Sequence, residues 1–105
     1  MILTFVRLHA LTEKRKELRQ TLHSLNMQMK TEAGCLDSNL YQLDEDKNHF
    51  LVVESWENRE ALNDYLHSIY FTVLMGARSL LSRPPEITIH TISHSSELET
   101  AHLRL

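Results

Sequence analysis

Two segments of this chain are apolar on both sets of alternating positions. Ile2, Val6 and Leu8 share the first with Leu3 and Phe5; Phe50 and Val52 share the second with Leu51 and Val53. A strand of that kind belongs inside a sheet covered on both faces. Thr4, Arg7 and His9 are the polar exceptions in the first segment. Whatever fold the chain adopts must therefore bury two sides of one sheet.

The remaining elements supply too little cover. Thr12 offers an N-cap, and Leu11, Leu18, Leu22, Leu25 and Met29 then recur at helical spacing. This pattern predicts a helix from about Glu13 to about Glu32, with Gly34 as the left-handed residue past its end. Cys35 to Leu43 alternates as a strand, with Leu36, Ser38, Leu40 and Gln42 on one face and Cys35, Asp37, Asn39, Tyr41 and Leu43 on the other. Asp44 to Asn48 reads as a polar hairpin turn before the strand Phe50 to Trp56. Asn58 caps a second helix carrying Ala61, Leu62, Tyr65 and Leu66. Ser68 caps its continuation, in which Ile69, Val73, Ala77 and Leu80 line one face. Pro84 and Pro85 end it, and Glu86 to His94 is the last strand.

The order β-α-β-β-α-β is the split, ferredoxin-like pattern. The fold class is α+β, with an antiparallel sheet and right-handed crossovers that put both helices on one face. The other face is left as a large apolar patch, which a second copy of the chain buries most simply. The expected assembly is a homodimer. Residues 1–94 form one domain, and 95–105 a polar tail with a few leucines.

Composition removes several function classes. The chain has 105 residues, enough for one core. The net charge of −3 and the lack of a basic stripe beyond Lys14, Arg15 and Lys16 argue against nucleic acid. No run of apolar residues is long enough to span a membrane. Met1 to Lys16 carries its charges after its apolar stretch, the reverse of a secretory leader. A single cysteine, Cys35, permits no internal disulfide and fits a reducing compartment. The expected location is cytoplasmic.

No phosphate loop, nucleophile elbow, paired-cysteine motif or His-Glu-x-x-His motif occurs. Among the seven histidines, His90 and His94 share a strand face, but lie roughly 13 Å apart. One ion cannot join them, and His23 and His67 sit on different helices, so no metal is expected. Cys35 has no evident base beside it and reads as an inert thiol. Trp56 closes the third strand at the mouth of the sheet, where it serves either as a core plug or as a flat wall for an aromatic ligand. Tyr65 lies on the inward stripe of the second helix; His67 lies about 160° around it. Asn39 and Tyr41 project together from the second strand and can place donors in a cleft. Arg78 is the lone cation of the apolar stretch from Ile69 to Leu81, and either pairs a surface carboxylate or holds an anionic substrate.

Three stretches, in order, resemble one family: Gly34-Cys35-Leu36 leading to Leu40-Tyr41-Gln42; Val53-Glu54-Ser55-Trp56-Glu57; and Glu60-Ala61-Leu62 with Ser68-Ile69-Tyr70-Phe71. The chain is similar to the antibiotic biosynthesis monooxygenases of the dimeric α/β-barrel superfamily. The resemblance implies oxidation of polyphenol or quinol substrates without flavin, haem or metal, with Trp56 facing the substrate. On that footing Trp56, Tyr65 and His67 are the candidate catalytic residues, and Asn39, Tyr41, Phe71 and Arg78 the candidate substrate contacts. The chain departs from the family where many members carry a histidine, nine or ten residues beyond the tryptophan. Tyr65 and Leu66 stand there, with His67 one step on. Haem-degrading members carry an asparagine near the place of Arg7, so both departures count against haem cleavage. A non-catalytic dimeric module binding a small apolar ligand or partner is the competing expectation, with an isomerase anchored by Arg78 behind it.

Overall fold

The computed structural model describes residues 1–98, so part of the polar tail, 99–105, lies outside the described residues. The chain runs β1 (Ile2–His9), α1 (Arg15–Met29), β2 (Cys35–Gln42), β3 (His49–Trp56), α2 (Arg59–Leu66), α3 (Ile69–Gly76) and β4 (Glu86–Thr91), with short 3-10 turns before α1 and after α3. The four strands form one antiparallel sheet in the order β2-β3-β1-β4. The two segments apolar on both faces are therefore its inner strands. No helix among the described residues is long and apolar enough to cross a membrane.

The helices pack on one face. Val6, Leu8, Phe50 and Val52 meet Leu18 and Leu22 of α1 and Leu74 of α3 in the larger apolar cluster. Ile2, Met29, Trp56, Leu62 and Tyr65 form a second cluster. Between them runs a polar row, since Ser38, Glu54 and Thr4 are register partners across β2, β3 and β1. All three are buried, as is Asn26 of α1 above them. On the opposite face Leu3, Phe5, Leu51 and Val53 stay half-exposed, with no helix over them.

Local details follow from side-chain chemistry. Asn58 and Ser68 cap α2 and α3, accepting from the amides of Ala61 and Phe71 at 2.9 and 3.3 Å. Thr12 does not cap α1; its hydroxyl accepts from Asn48 Nδ2 at 2.9 Å and ties the helix start to the β2–β3 turn. Gly34 has φ +80°, and a β-carbon there would stand 2.5 Å from Ala61 Cβ. Only glycine lets the start of β2 approach α2 so closely.

Two further expectations fail locally. A bulge between Cys35 and Asp37 takes Leu36 out of the alternation and leaves it exposed. It also pairs Cys35 with Trp56, so the thiol packs against the second cluster. Burial then pushes the Cys35 thiol up to about 11, an inert state at neutral pH. Ile69 and Val73 were expected with Ala77 and Leu80 on one inward face, yet they are 66% and 43% exposed. The chain tightens into a 3-10 turn at Ala77–Leu80, and this breaks the helical phase that linked the four.

Candidate active site

The polar row meets the second apolar cluster at the C-terminal end of β3. Glu54 and Trp56 leave this strand on the helix side, two residues apart, and Thr4 stands opposite Glu54 on β1. The Trp56 indole N–H donates to Thr4 Oγ1 at 3.1 Å, and the Thr4 hydroxyl approaches Glu54 Oε1 at 3.4 Å. The second contact is long for a hydrogen bond between oxygens. Tyr65 of α2 stacks on Trp56, with ring centroids 4.7 Å apart and planes at 25°. Phe71 of α3 meets the edge of Tyr65 at 5.5 Å.

Glu54 is 1% exposed. Burial pushes its carboxyl up from 4.5 to about 7, against the lowering effect of the Thr4 and Tyr65 hydroxyls. Burial and the neighbouring carboxylate also raise the Tyr65 phenol above its ordinary value. A carboxyl that exchanges its proton near neutrality, walled by aromatic rings, suits general acid–base chemistry. Asn26 and Ser38, on the other side of Glu54, are paired with each other by a hydrogen bond of 2.6 Å.

A cavity of about 20 Å³ lies beside Glu54 and Tyr65, closed by Leu25, Asn26, Tyr70 and Leu74. It is large enough for one water molecule. Outside it a groove runs between α1 and α3, with Ile69 and Val73 on its lip and Leu25 and Tyr70 on its floor. Leu25 and Tyr70 therefore form the partition between groove and cavity. The outward stripe of α3 follows from this arrangement.

The structure brings together Trp56, Tyr65 and Phe71, and separates the other candidates from them. His67 is the exposed residue that ends α2, with its Nδ1 2.7 Å from the Asn63 carbonyl. Two residues of helix turn it away from Tyr65. Asn39 and Tyr41 pair with Val53 and Leu51 and so project from the helix-free face. Arg78 is exposed in the turn after α3. Arg7 pairs with Leu51 on the helix-free face, and Thr4 is the β1 residue that reaches Trp56.

Sequence reading missed Glu54, Thr4 and Asn26. The signal was present for Glu54, which keeps step with Phe50, Val52 and Trp56 on an inner strand. An acid in phase with core positions must be buried, and a buried acid has a displaced pKa.

A β-α-β-β-α-β domain with a buried acid and stacked aromatics under a helix–helix groove defines the class: a ferredoxin-like domain whose candidate site lies between sheet and helices. The family model for antibiotic biosynthesis monooxygenases matches residues 1–76, and the chain belongs to that family. A structure from Deinococcus radiodurans, assigned to the same monooxygenases, superposes with a TM-score of 0.87 at 25% identity, covering 94% of this chain and 99% of that one. A protein of Mycobacterium tuberculosis superposes at 0.84 with 21% identity, covering 91% and 98%. An uncharacterized protein of Synechocystis is 33% identical over 70 residues, which are 66% of this chain and 48% of that protein. The chain thus spans about half the length of this curated relative.

Proposed function

We propose that the chain is a cofactor-independent monooxygenase of small quinol- or polyphenol-like aromatics, with Glu54 as the base. The observation that supports this reading is the buried Glu54 carboxyl, pushed up to about 7 beside Tyr65 and Trp56. The substrate enters the α1–α3 groove and displaces Tyr70 and Leu25 to reach it. A ligand of that size needs roughly 300 Å³ or more, so α3 swings outward about the break at Ser68. Glu54 takes the phenolic proton. The phenolate passes one electron to dioxygen, and the two radicals join in a C–O bond. The peroxide anion so formed takes back the proton from Glu54, and the hydroperoxide loses water as the proton on the same carbon leaves, giving a carbonyl. All four electrons come from the substrate; one oxygen atom ends in the product and the other in water. Tyr65 donates a hydrogen bond to the peroxide oxygen in a site that excludes bulk water.

The working form is a homodimer in which the Leu3–Phe5–Leu51–Val53 face of each copy covers the other, as in a dimeric α/β barrel. Such a face is too apolar to be left to water.

The test is dioxygen uptake by metal-free protein with anthrone-like and naphthoquinol substrates. Uptake is expected above the buffer rate, to fall about 100-fold in Glu54→Gln and to drop in Trp56→Phe and Tyr65→Phe. Uptake at the buffer rate across a broad quinol panel rejects the reading. It would favour a non-catalytic module, which the side-chain-filled cleft around the 20 Å³ cavity also fits.

A further inference from the structure

At the end of the sheet away from Trp56, β1 finishes at His9 directly opposite His49, where β3 begins. The two imidazoles lie with centroids 4.0 Å apart and planes at 34°. Both belong to the helix-free face, about 17 Å along β3 from Glu54. The β2–β3 turn brings Asp46 to the same place. Its carbonyl accepts from the His49 amide at 2.9 Å, and its Oδ1 accepts from the Asn48 amide at 3.0 Å. The turn's own hydrogen bonds thus hold the Asp46 side chain against the two rings. One ligand atom from each of His9, Asp46 and His49 lies within 4.8 Å of the other two.

We propose that His9, His49 and Asp46 form a binding site for a divalent first-row transition ion of the zinc class, a site separate from the proposed chemistry at Glu54. Two nitrogens and one carboxylate oxygen are the donor set that such ions prefer. Bonds of about 2.1 Å put tetrahedral ligands roughly 3.4 Å apart, so rotamer shifts of about 1 Å close the triad. A second observation points the same way. His49 Nε2 is buried and has no hydrogen-bond partner among the described residues. A buried polar atom without a partner is costly, and an ion would satisfy it. Three protein ligands leave a fourth position for water.

Arg83 NH2 lies 2.9 and 2.8 Å from the two His9 nitrogens. Its exposed side chain stands against the His9 ring, so the guanidinium competes with an ion for that ligand.

The full chain, without a histidine tag and stripped with chelator, is titrated with zinc chloride at pH 7.5 by calorimetry. One zinc per chain is expected, with a micromolar or tighter dissociation constant. His9→Gln, His49→Gln and the exposed-site Asp46→Asn should each weaken binding at least tenfold, and Arg83→Ala should tighten it several-fold. Five other histidines remain in a His9→Gln/His49→Gln double variant. If that variant binds zinc like the wild type, or if the wild type takes up none at tens of micromolar, the assignment is overturned. Should either histidine variant fail to fold, Asp46→Asn decides: unchanged affinity rejects the site.

Discussion

Replacing Glu54 by glutamine should make the protein more stable relative to wild type as the pH rises, by an amount fixed by one displaced titration. The Glu54 carboxyl titrates at 4.5 in the unfolded chain and near 7 in the folded one. Between those values the folded chain holds a proton that the unfolded chain has lost, so stability falls with rising pH. Below 4.5 both states are protonated and nothing is lost. Above 7 both are ionised, and the full cost of the buried charge is felt. At about 1.4 kcal/mol per pH unit the cost is about 3 kcal/mol, most of which accumulates between pH 5 and pH 8.

Glutamine keeps the size of the side chain and carries no titrating proton. The stability of Glu54→Gln minus that of wild type should therefore grow by about 2–3 kcal/mol over that interval, while contributions from all other groups cancel. Trp56, the lone tryptophan, is 1% exposed and reports unfolding by fluorescence. In urea melts at fixed protein concentration, an m-value near 1.3 kcal/mol/M turns the effect into a relative midpoint shift of about 2 M. A difference that stays flat to within about 0.5 kcal/mol from pH 5 to pH 8 would refute the account of Glu54 as a buried, elevated carboxyl. The proposed base would fall with it.

Other perturbations probe the frame around the site. Gly34→Ala places a left-handed non-glycine residue against Ala61 and should cost about 2–4 kcal/mol in a urea melt; a loss below about 1 kcal/mol would mean that β2 and α2 do not meet as described. Phe5→Asp sets a carboxylate in the middle of the helix-free face and should convert a dimer to a monomer at micromolar concentration, read by light scattering after gel filtration. A wild type that elutes as a monomer, or a variant that remains a dimer, rejects that face as the contact.

The architecture was legible because it rests on long-range periodicity. Strands apolar on both faces had to be the inner pair, and the caps at Asn58 and Ser68 are local chemistry that tertiary packing did not override. The errors lie where one residue changes phase. The bulge at Leu36 is a single insertion that moves Cys35 to the Trp56 side, and no composition rule marks it. The 3-10 turn at Ala77 does the same to Ile69 and Val73. Among the candidate site residues, Tyr65 was legible from its stripe on α2. Asn39, Tyr41 and Arg78 were chosen for chemical type, and type does not say which face a side chain takes; His67, about 160° around α2 from Tyr65, entered the set on the family resemblance against its own spacing.

Glu54 shows what periodicity offers when it is followed through. Its neighbours in phase are core residues, so a leucine there would fill the same layer without a buried charge. The chain instead keeps an acid whose ionised form costs about 3 kcal/mol at neutral pH. A purely structural polar layer would be expected to satisfy itself, as Asn26 and Ser38 do at 2.6 Å. Glu54 is held more loosely: Thr4 stands at 3.4 Å, and Tyr65 turns a reluctant phenol towards it. A carboxyl kept at that cost, held by a long contact to Thr4 and separated from an open groove only by Leu25 and Tyr70, is better explained by a ligand's proton than by the needs of the fold.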